Sequence, residues 1–337
     1  MQIIFNCIKL NNNPNQLREN TCKINDVKCT SISFTSKSDA ANLMKCTDIL
    51  NCAYTGKPMI LKESISELMQ KLFNKKSAYE ALEILKSYAK YIYNPEIFQM
   101  LLKSPHLTKF DIRDIFQENY SESLDRLKRK QRNVLNSTER IQEQLGSRAK
   151  KKVERLKEET EDRIEDGSFS RTIPLKALRA ITGAKKDENL LKQIYRAWYQ
   201  LPRSSKDLDA FVVSNAKLSQ DSIIKKMISP SEVSIDHIKA SSEGGPDELN
   251  NYLLVCNQPN SEKNSMTLDE YSMLNPDLNI AYNLQQYVNA AIHEINYGSS
   301  WLSSKFKYPD GIQKTVLQES SGFILLDTDG LTYKKFS

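Results

Sequence analysis

The chain has 337 residues, enough to bury one sizeable core or two modest ones, so two or three structural units are expected. A formal net charge of +6 with 27% charged residues leans towards a polyanionic partner, yet falls short of the basic balance of a nucleic-acid coat protein. No run of eighteen apolar residues occurs and the opening Met1 to Asn6 lacks the pattern of a secretory signal, so a soluble, cytoplasmic protein without membrane contact is predicted. The six cysteines form no C-x-x-C pair, which argues for reduced thiols and against a disulfide framework or a structural zinc.

Residues 1–61 carry short β-branched and aromatic runs, Ile3-Ile4-Phe5 and Thr30 to Thr35, which predict a strand-rich N-terminal region. From 62 to 230 the pattern turns helical. Ile65, Leu68, Met69 and Leu72 recur at three and four residue spacing, as do Ala81, Leu85 and Tyr88. Within this region 119–166 is highly charged, with no regular heptad seam, and predicts a long solvated helix or a helical hairpin broken near Gly146-Ser147. Its two basic clusters, Arg126 to Arg132 and Arg148 to Lys157, have centres about 22 residues apart. Along one straight helix that is roughly 33 Å, close to one turn of B-DNA, and would allow a DNA clamp. A merely solvated or protein-pairing surface is the other reading, because eleven acids face thirteen bases over the same stretch. Tyr195, Trp198 and Tyr199 sit at core-like helical spacing, and the isolated His106 and His293 read as structural.

The segment 231–275 reads as strand, Gly-rich loop, strand and helix. Residues 276–337 follow with one more amphipathic helix over 279–297 and short terminal strands around Phe323 to Leu326 and Leu331 to Tyr333. The chemistry lies in Val233-Ser-Ile-Asp236-His237, then Gly244-Gly245-Pro-Asp, then Asn251 before the apolar Tyr252 to Cys256, then Pro259-Asn260 and Lys263. Asn251 lies 14 positions after His237, and Asn260 lies 23 after it.

This segment resembles the HNH endonuclease family, and its spacing is similar to that of the HNH domains of RNA-guided CRISPR nucleases, over about 50 residues. The resemblance implies an α+β, predominantly α-helical protein whose ββα-metal module carries a large helical insertion or follows a helical domain. It also implies that Asn251 pins the loop behind the His-bearing strand. The expected activity is metal-dependent hydrolysis of DNA, double-stranded by preference, to 5′-phosphate and 3′-hydroxyl ends. Alternatives are a silent DNA-binding or assembly protein that keeps the ββα shell, and an effector released by a protein partner docked on the helical region.

The residue types suit that chemistry. An imidazole at His237 accepts a proton from water near neutral pH, which is the task of a general base. Asp236 and Asn260 offer one carboxylate and one amide oxygen, a hard and water-rich shell that favours Mg2+ or Mn2+ over zinc. Lys263, one turn into the helix after Asn260, is placed to reach a phosphate oxygen. Pro259 stands where the zinc-stabilised variants of the family carry a cysteine, so no zinc knuckle is expected. A second segment, Cys52-Ala-Tyr54-Thr-Gly56-Lys57, resembles the hairpin that precedes the Asp-His strand in some CRISPR-type HNH domains. On that reading Cys52 packs near Cys256 and about 170 residues are inserted between hairpin and strand; an ordinary Thr-Gly turn is the other reading.

Overall fold

A computed structural model describes residues 51–73, 75, 77–181, 187–248 and 251–297. The strands expected within 1–50 and beyond 297 lie outside these residues. Fourteen helices dominate the described chain. In order they are α1 (Lys62–Leu72), α2 (Ala78–Leu85), α3 (Pro95–Leu102), α4 (Ile112–Glu118), α5 (Tyr120–Asn136), α6 (Glu139–Gln142) and α7 (Ser147–Glu165). There follow α8 (Thr172–Ile181), α9 (Glu188–Tyr199), α10 (Leu208–Asn215) and α11 (Gln220–Ile228). After these come strands β1 (Val233–His237) and β2 (Tyr252–Cys256), then α12 (Asn257–Lys263), α13 (Leu268–Leu274) and α14 (Ile280–Tyr297). None of the described helices is long and apolar enough to cross a membrane.

Local sequence explains the helix starts. Ser77 with Glu80, Asp111 with Asp114 and Thr267 with Glu270 each close a reciprocal capping box. Each box satisfies two backbone donors that a helix start otherwise leaves bare. Asn94 caps α3 through its side chain, with Pro95 at the first helical position, where proline's missing N–H costs nothing.

The charged segment 119–166 is not one helix. α5 ends at Asn136, the chain turns through the short α6, and α7 runs back along α5. Lys128 Nζ donates to Glu165 O at 2.9 Å and Lys157 Nζ meets Glu139 Oε1 at 2.8 Å, contacts that an antiparallel hairpin alone permits. Gly146 precedes the first residue of α7, at the position where a break was read. The straight 33 Å track behind the DNA clamp is therefore absent. Many of its basic residues are already paired within the chain. Lys130 reaches Asp207 at 2.7 Å and Asp209 at 2.8 Å, Arg126 reaches Asp209 at 2.9 Å, and Arg132 pairs with Glu165.

Two apolar cores form, and they do not divide at residue 230. One unites both strands, Tyr54, α13 and α14 with Leu135, Leu145, α7, α8 and α9. The other joins α1 to α4 with Phe211, Val212 and α11. Hence the stretch 62–230 is shared between cores, and α7 to α9 pack directly against the sheet. Trp198 is fully buried in the first core and donates its indole N–H to Thr138 Oγ1 at 3.0 Å. Tyr199 is buried as well, whereas Tyr195 is half exposed.

The sheet is small. β1 and β2 pair antiparallel, with Asp236 opposite Leu253 and His237 opposite Tyr252. The hairpin 51–58 docks on it from far upstream: Ala53 N donates to Leu254 O at 3.1 Å and Val233 N to Ile60 O at 2.9 Å. Cys256 N donates to Cys52 Sγ at 3.2 Å, and both thiols are free and buried. The structure thus brings the two sequence segments together, with α1 to α11 inserted between them.

Candidate active site

β1 ends in Asp236 and His237, and α12 crosses behind it carrying Asn260. All three side chains line one open cavity of about 490 Å3, together with Ser241, Ser242, Asn264 and Ser265. Alternation along a strand sends neighbouring side chains to opposite faces. The cavity nevertheless receives both Asp236 and His237, because it opens at the end of β1 where the chain leaves the sheet.

Each polar group is held so that one atom remains unused. Asn260 Nδ2 donates to Ser234 Oγ at 2.5 Å and to Ile235 O at 3.1 Å. The amide is thereby oriented, and its Oδ1 stays available as an acceptor. Asp236 is buried, and its Oδ2 accepts from Tyr54 Oη at 2.6 Å and meets Lys263 Nζ at 3.0 Å, which leaves Oδ1. Burial and the adjoining Asp236 carboxylate push the Tyr54 phenol well above its ordinary range, so Tyr54 stays a donor.

His237 is oriented by a residue that sequence inspection passed over. Its Nε2 lies 2.7 Å from Asp247 Oδ1, and Tyr252 Oη donates to the same oxygen at 3.0 Å. The Tyr252 ring also stands edge-on to the imidazole, with centroids 4.8 Å apart. Burial and the hydrogen bond to Asp247 push the Tyr252 phenol up to about 12, which keeps it protonated. A carboxylate only accepts hydrogen bonds, so the proton of a neutral His237 resides on Nε2. Nδ1 is then the basic nitrogen, and among the described residues it has no partner.

Asn251 fastens the loop behind this arrangement. Its Oδ1 accepts from Lys239 N at 2.9 Å, while Nδ2 donates to Lys239 O at 3.1 Å and Pro246 O at 2.9 Å. Asn251 is buried and touches loop backbone only, so it positions the loop without entering the cavity. Two glycines allow the tight path. Gly244 has φ +76°, and a Cβ at Gly245 would stand 2.0 Å from Lys239 O.

Lys263 does not face an incoming phosphate. It is fully buried, pairs with Asp236 and donates to His237 O at 2.8 Å. α12 presents this position inward to the strand end, so the ammonium serves as an internal counter-ion, and the phosphate contact read from sequence is corrected. On the other face of α12, burial pushes the Glu262 carboxyl up, but the Arg203 and Lys206 charges outweigh it and hold the group below the usual carboxylate range. Arg203 lies 2.5 Å from Glu262, and both side chains are largely buried.

The donor set fits one loosely held hard cation. Among the described residues no three His, Cys, Asp or Glu side chains cluster, so tight all-protein coordination is not available. Asp236 Oδ1 and Asn260 Oδ1 are both oxygens, and the open cavity leaves room for water and phosphate oxygens. Mg2+ characteristically binds through one or two carboxylates plus waters and substrate phosphates. The Lys263 ammonium weakens that hold by balancing part of the Asp236 charge.

Sequence inspection missed Asp247, Tyr252 and Ser234 as supports. No local sequence signal marks Asp247; the structure pairs His237 with Tyr252, so the loop between them returns its own polar residues to the imidazole. His106 packs against Phe110 and lies 3.4 Å from Glu118, away from this site. The side chain of His293 lies outside the described residues. Compared with known proteins, the chain matches no family model, no curated protein and no solved structure.

Proposed function

We propose that the protein is a metal-dependent endonuclease of the HNH type that hydrolyses phosphodiester bonds in DNA. The observation that carries the reading is the convergence of Asp236, His237 and Asn260 on one cavity, with the basic nitrogen of His237 oriented by Asp247. A carboxylate oxygen, an amide oxygen and an imidazole nitrogen facing one open cavity are the donor set that a hydrated hard cation and an attacking water require.

His237 Nδ1 takes a proton from water as the water oxygen attacks phosphorus, and the P–O bond to the 3′ oxygen breaks, that oxygen taking a proton from solvent water in the open cavity. The imidazolium that forms is stabilised through Nε2 by the Asp247 carboxylate. Asp236 and Asn260 would hold the divalent ion through their free side-chain oxygens. When bound, Mg2+ or Mn2+ takes up charge on the phosphate and on the leaving oxygen. Asn251 keeps the loop and its Asp247 in place, and Lys263 and Tyr54 fix the Asp236 carboxylate. The products carry 5′-phosphate and 3′-hydroxyl ends.

Cleavage of end-labelled duplex DNA against a Mg2+ titration tests the reading. Asp236→Ala and Asn260→Ala each raise the Mg2+ concentration required or abolish cleavage. Activity in both variants at the wild-type Mg2+ requirement would contradict it.

A silent ββα shell that binds nucleic acid without cutting is the second reading. One observation favours it, namely that Lys263 already neutralises part of Asp236. A wild-type protein that binds DNA but leaves it intact over all Mg2+ and Mn2+ concentrations selects this reading.

A further inference from the structure

The substrate reading above leaves open which surface grips the polyanion, since the expected clamp on 119–166 is folded into a hairpin with many of its charges paired. A groove of about 710 Å3 lies beside the active cavity, and Ser261 and Asn264 line both. Its wall is strongly one-sided in charge. Arg171, Lys176, Arg179, Arg203 and Lys217 line it, against one acid, Glu262. That acid is already committed to Arg203 at 2.5 Å.

Local structure sets this arrangement. Lys176 and Arg179 are three apart on α8 and share a face, and Tyr195 and Tyr199 are four apart on α9 and share another. Arg171 and Arg203 both stack on Tyr199, with guanidinium carbons 4.4 and 4.9 Å from the ring centre. Two like charges therefore crowd one aromatic ring. Burial, then the nearby Arg203 charge, lowers the Arg171 pKa, the mark of a cation that the fold has desolvated without a full counter-charge. Tyr199 lines the same groove and is buried beside the Arg171 guanidinium. An anion laid in the groove would relieve that crowding.

We propose that this groove is the track for the nucleic-acid strand that continues from the scissile phosphate, with Arg171, Lys176, Arg179 and Lys217 on its phosphates and Tyr195 beside its bases. The inference rests on the reading of the adjoining cavity as a site acting on nucleic acid. The groove's volume lies within the roughly 300–1,000 Å3 of ligand clefts, and guanidinium and ammonium groups interleaved with aromatic rings are what a single strand's backbone and base faces require. The strand passes Asn264, which among the described residues is the one non-glycine with positive φ, on its way into the cavity.

Binding without cleavage tests this. The probe is a fluorescein-labelled single-stranded DNA of about 20 nucleotides, followed by anisotropy in EDTA with the full chain. The groove variant is Lys176→Glu with Lys217→Glu, both exposed positions where the fold tolerates change. The control is Lys151→Glu with Lys152→Glu, also exposed but on α7. The groove variant should bind at least about tenfold more weakly, with a salt slope reduced by roughly 1.4, at about 0.7 per phosphate contact for a single strand. The control should bind within about twofold of wild type. Unchanged binding by the groove variant, equal loss in the control, or no binding by wild type overturns the proposal.

The two readings fail separately. If wild type binds through the groove and never cuts, the groove stands and hydrolysis falls. If wild type cuts and the groove variant cuts with unchanged KM, the groove falls and hydrolysis stands.

Discussion

Lys263 Nζ lies 3.0 Å from Asp236 Oδ2 and 2.8 Å from His237 O, so one buried ammonium touches two consecutive residues at the end of β1. It joins α12 to the strand and balances the carboxylate charge that a bound cation would otherwise share with water alone. The charge in the cavity and the packing of α12 on β1 are therefore coupled through a single side chain.

Lys263→Met tests that coupling. Removing one member of a buried pair leaves Asp236 with Tyr54 as its one remaining donor among the described residues, and a cost of about 3–5 kcal/mol is expected. Urea unfolding of Lys263→Met, Asp236→Asn and the double variant reads it. The double variant should be more stable than the sum of the single losses by more than about 1 kcal/mol, as residues in direct contact are non-additive. Simple additivity would show that the two groups act independently.

Gly245→Ala should disrupt the loop that carries Asp247. The new methyl would meet Lys239 O, a backbone atom that Asn251 already fixes, so the neighbour has no free side chain to swing aside. A loss of about 1–3 kcal/mol is expected from such overpacking, measured by thermal unfolding. The same variant should cleave DNA more slowly even below its melting temperature, because the His237 imidazole loses its carboxylate. Gly244→Ala meets no neighbouring atom, so its cost is confined to the positive φ.

The Arg203 and Glu262 pair makes stability pH-dependent with a definite sign. The folded carboxyl of Glu262 titrates below its unfolded value, so the folded state is favoured at pH above the ordinary carboxylate range. That advantage disappears as pH falls through the depressed folded value. Urea unfolding at pH 7 and at progressively lower pH should show wild type more stable than Glu262→Gln at the upper end, with the gap closing on acidification. A gap constant over the whole range would place the effect of the substitution outside the titration of Glu262.

How much of this was legible in the sequence follows from where the determining contacts lie. Asp236, His237 and Asn260 were readable because a strand, a glycine-rich loop, a second strand and a helix fix their separations within 25 residues. The Cys52 to Lys57 segment read equally as a hairpin of the site and as an ordinary Thr-Gly turn, and the structure sets the Tyr54 hydroxyl 2.6 Å from Asp236. Other features depend on distant packing. The burial of Lys263 follows from which face α12 turns to β1, and an isolated lysine on a helix carries no such signal. The fold-back of α5 on α7 is fixed by partners such as Lys128 and Glu165, 37 positions apart, and charge density alone reads equally as one helix or two. Asp247 was overlooked because an acid in a Gly-Gly-Pro turn is locally indistinguishable from an ordinary loop residue.

The central claim is that the Nδ1 nitrogen of His237 removes a proton from the attacking water. Single-turnover cleavage of duplex DNA at saturating Mg2+, wild type against His237→Ala, measures it most directly. The account predicts a rate lower by roughly 10²–10⁴-fold in the variant, with DNA binding retained. Equal rates in the two proteins would contradict it.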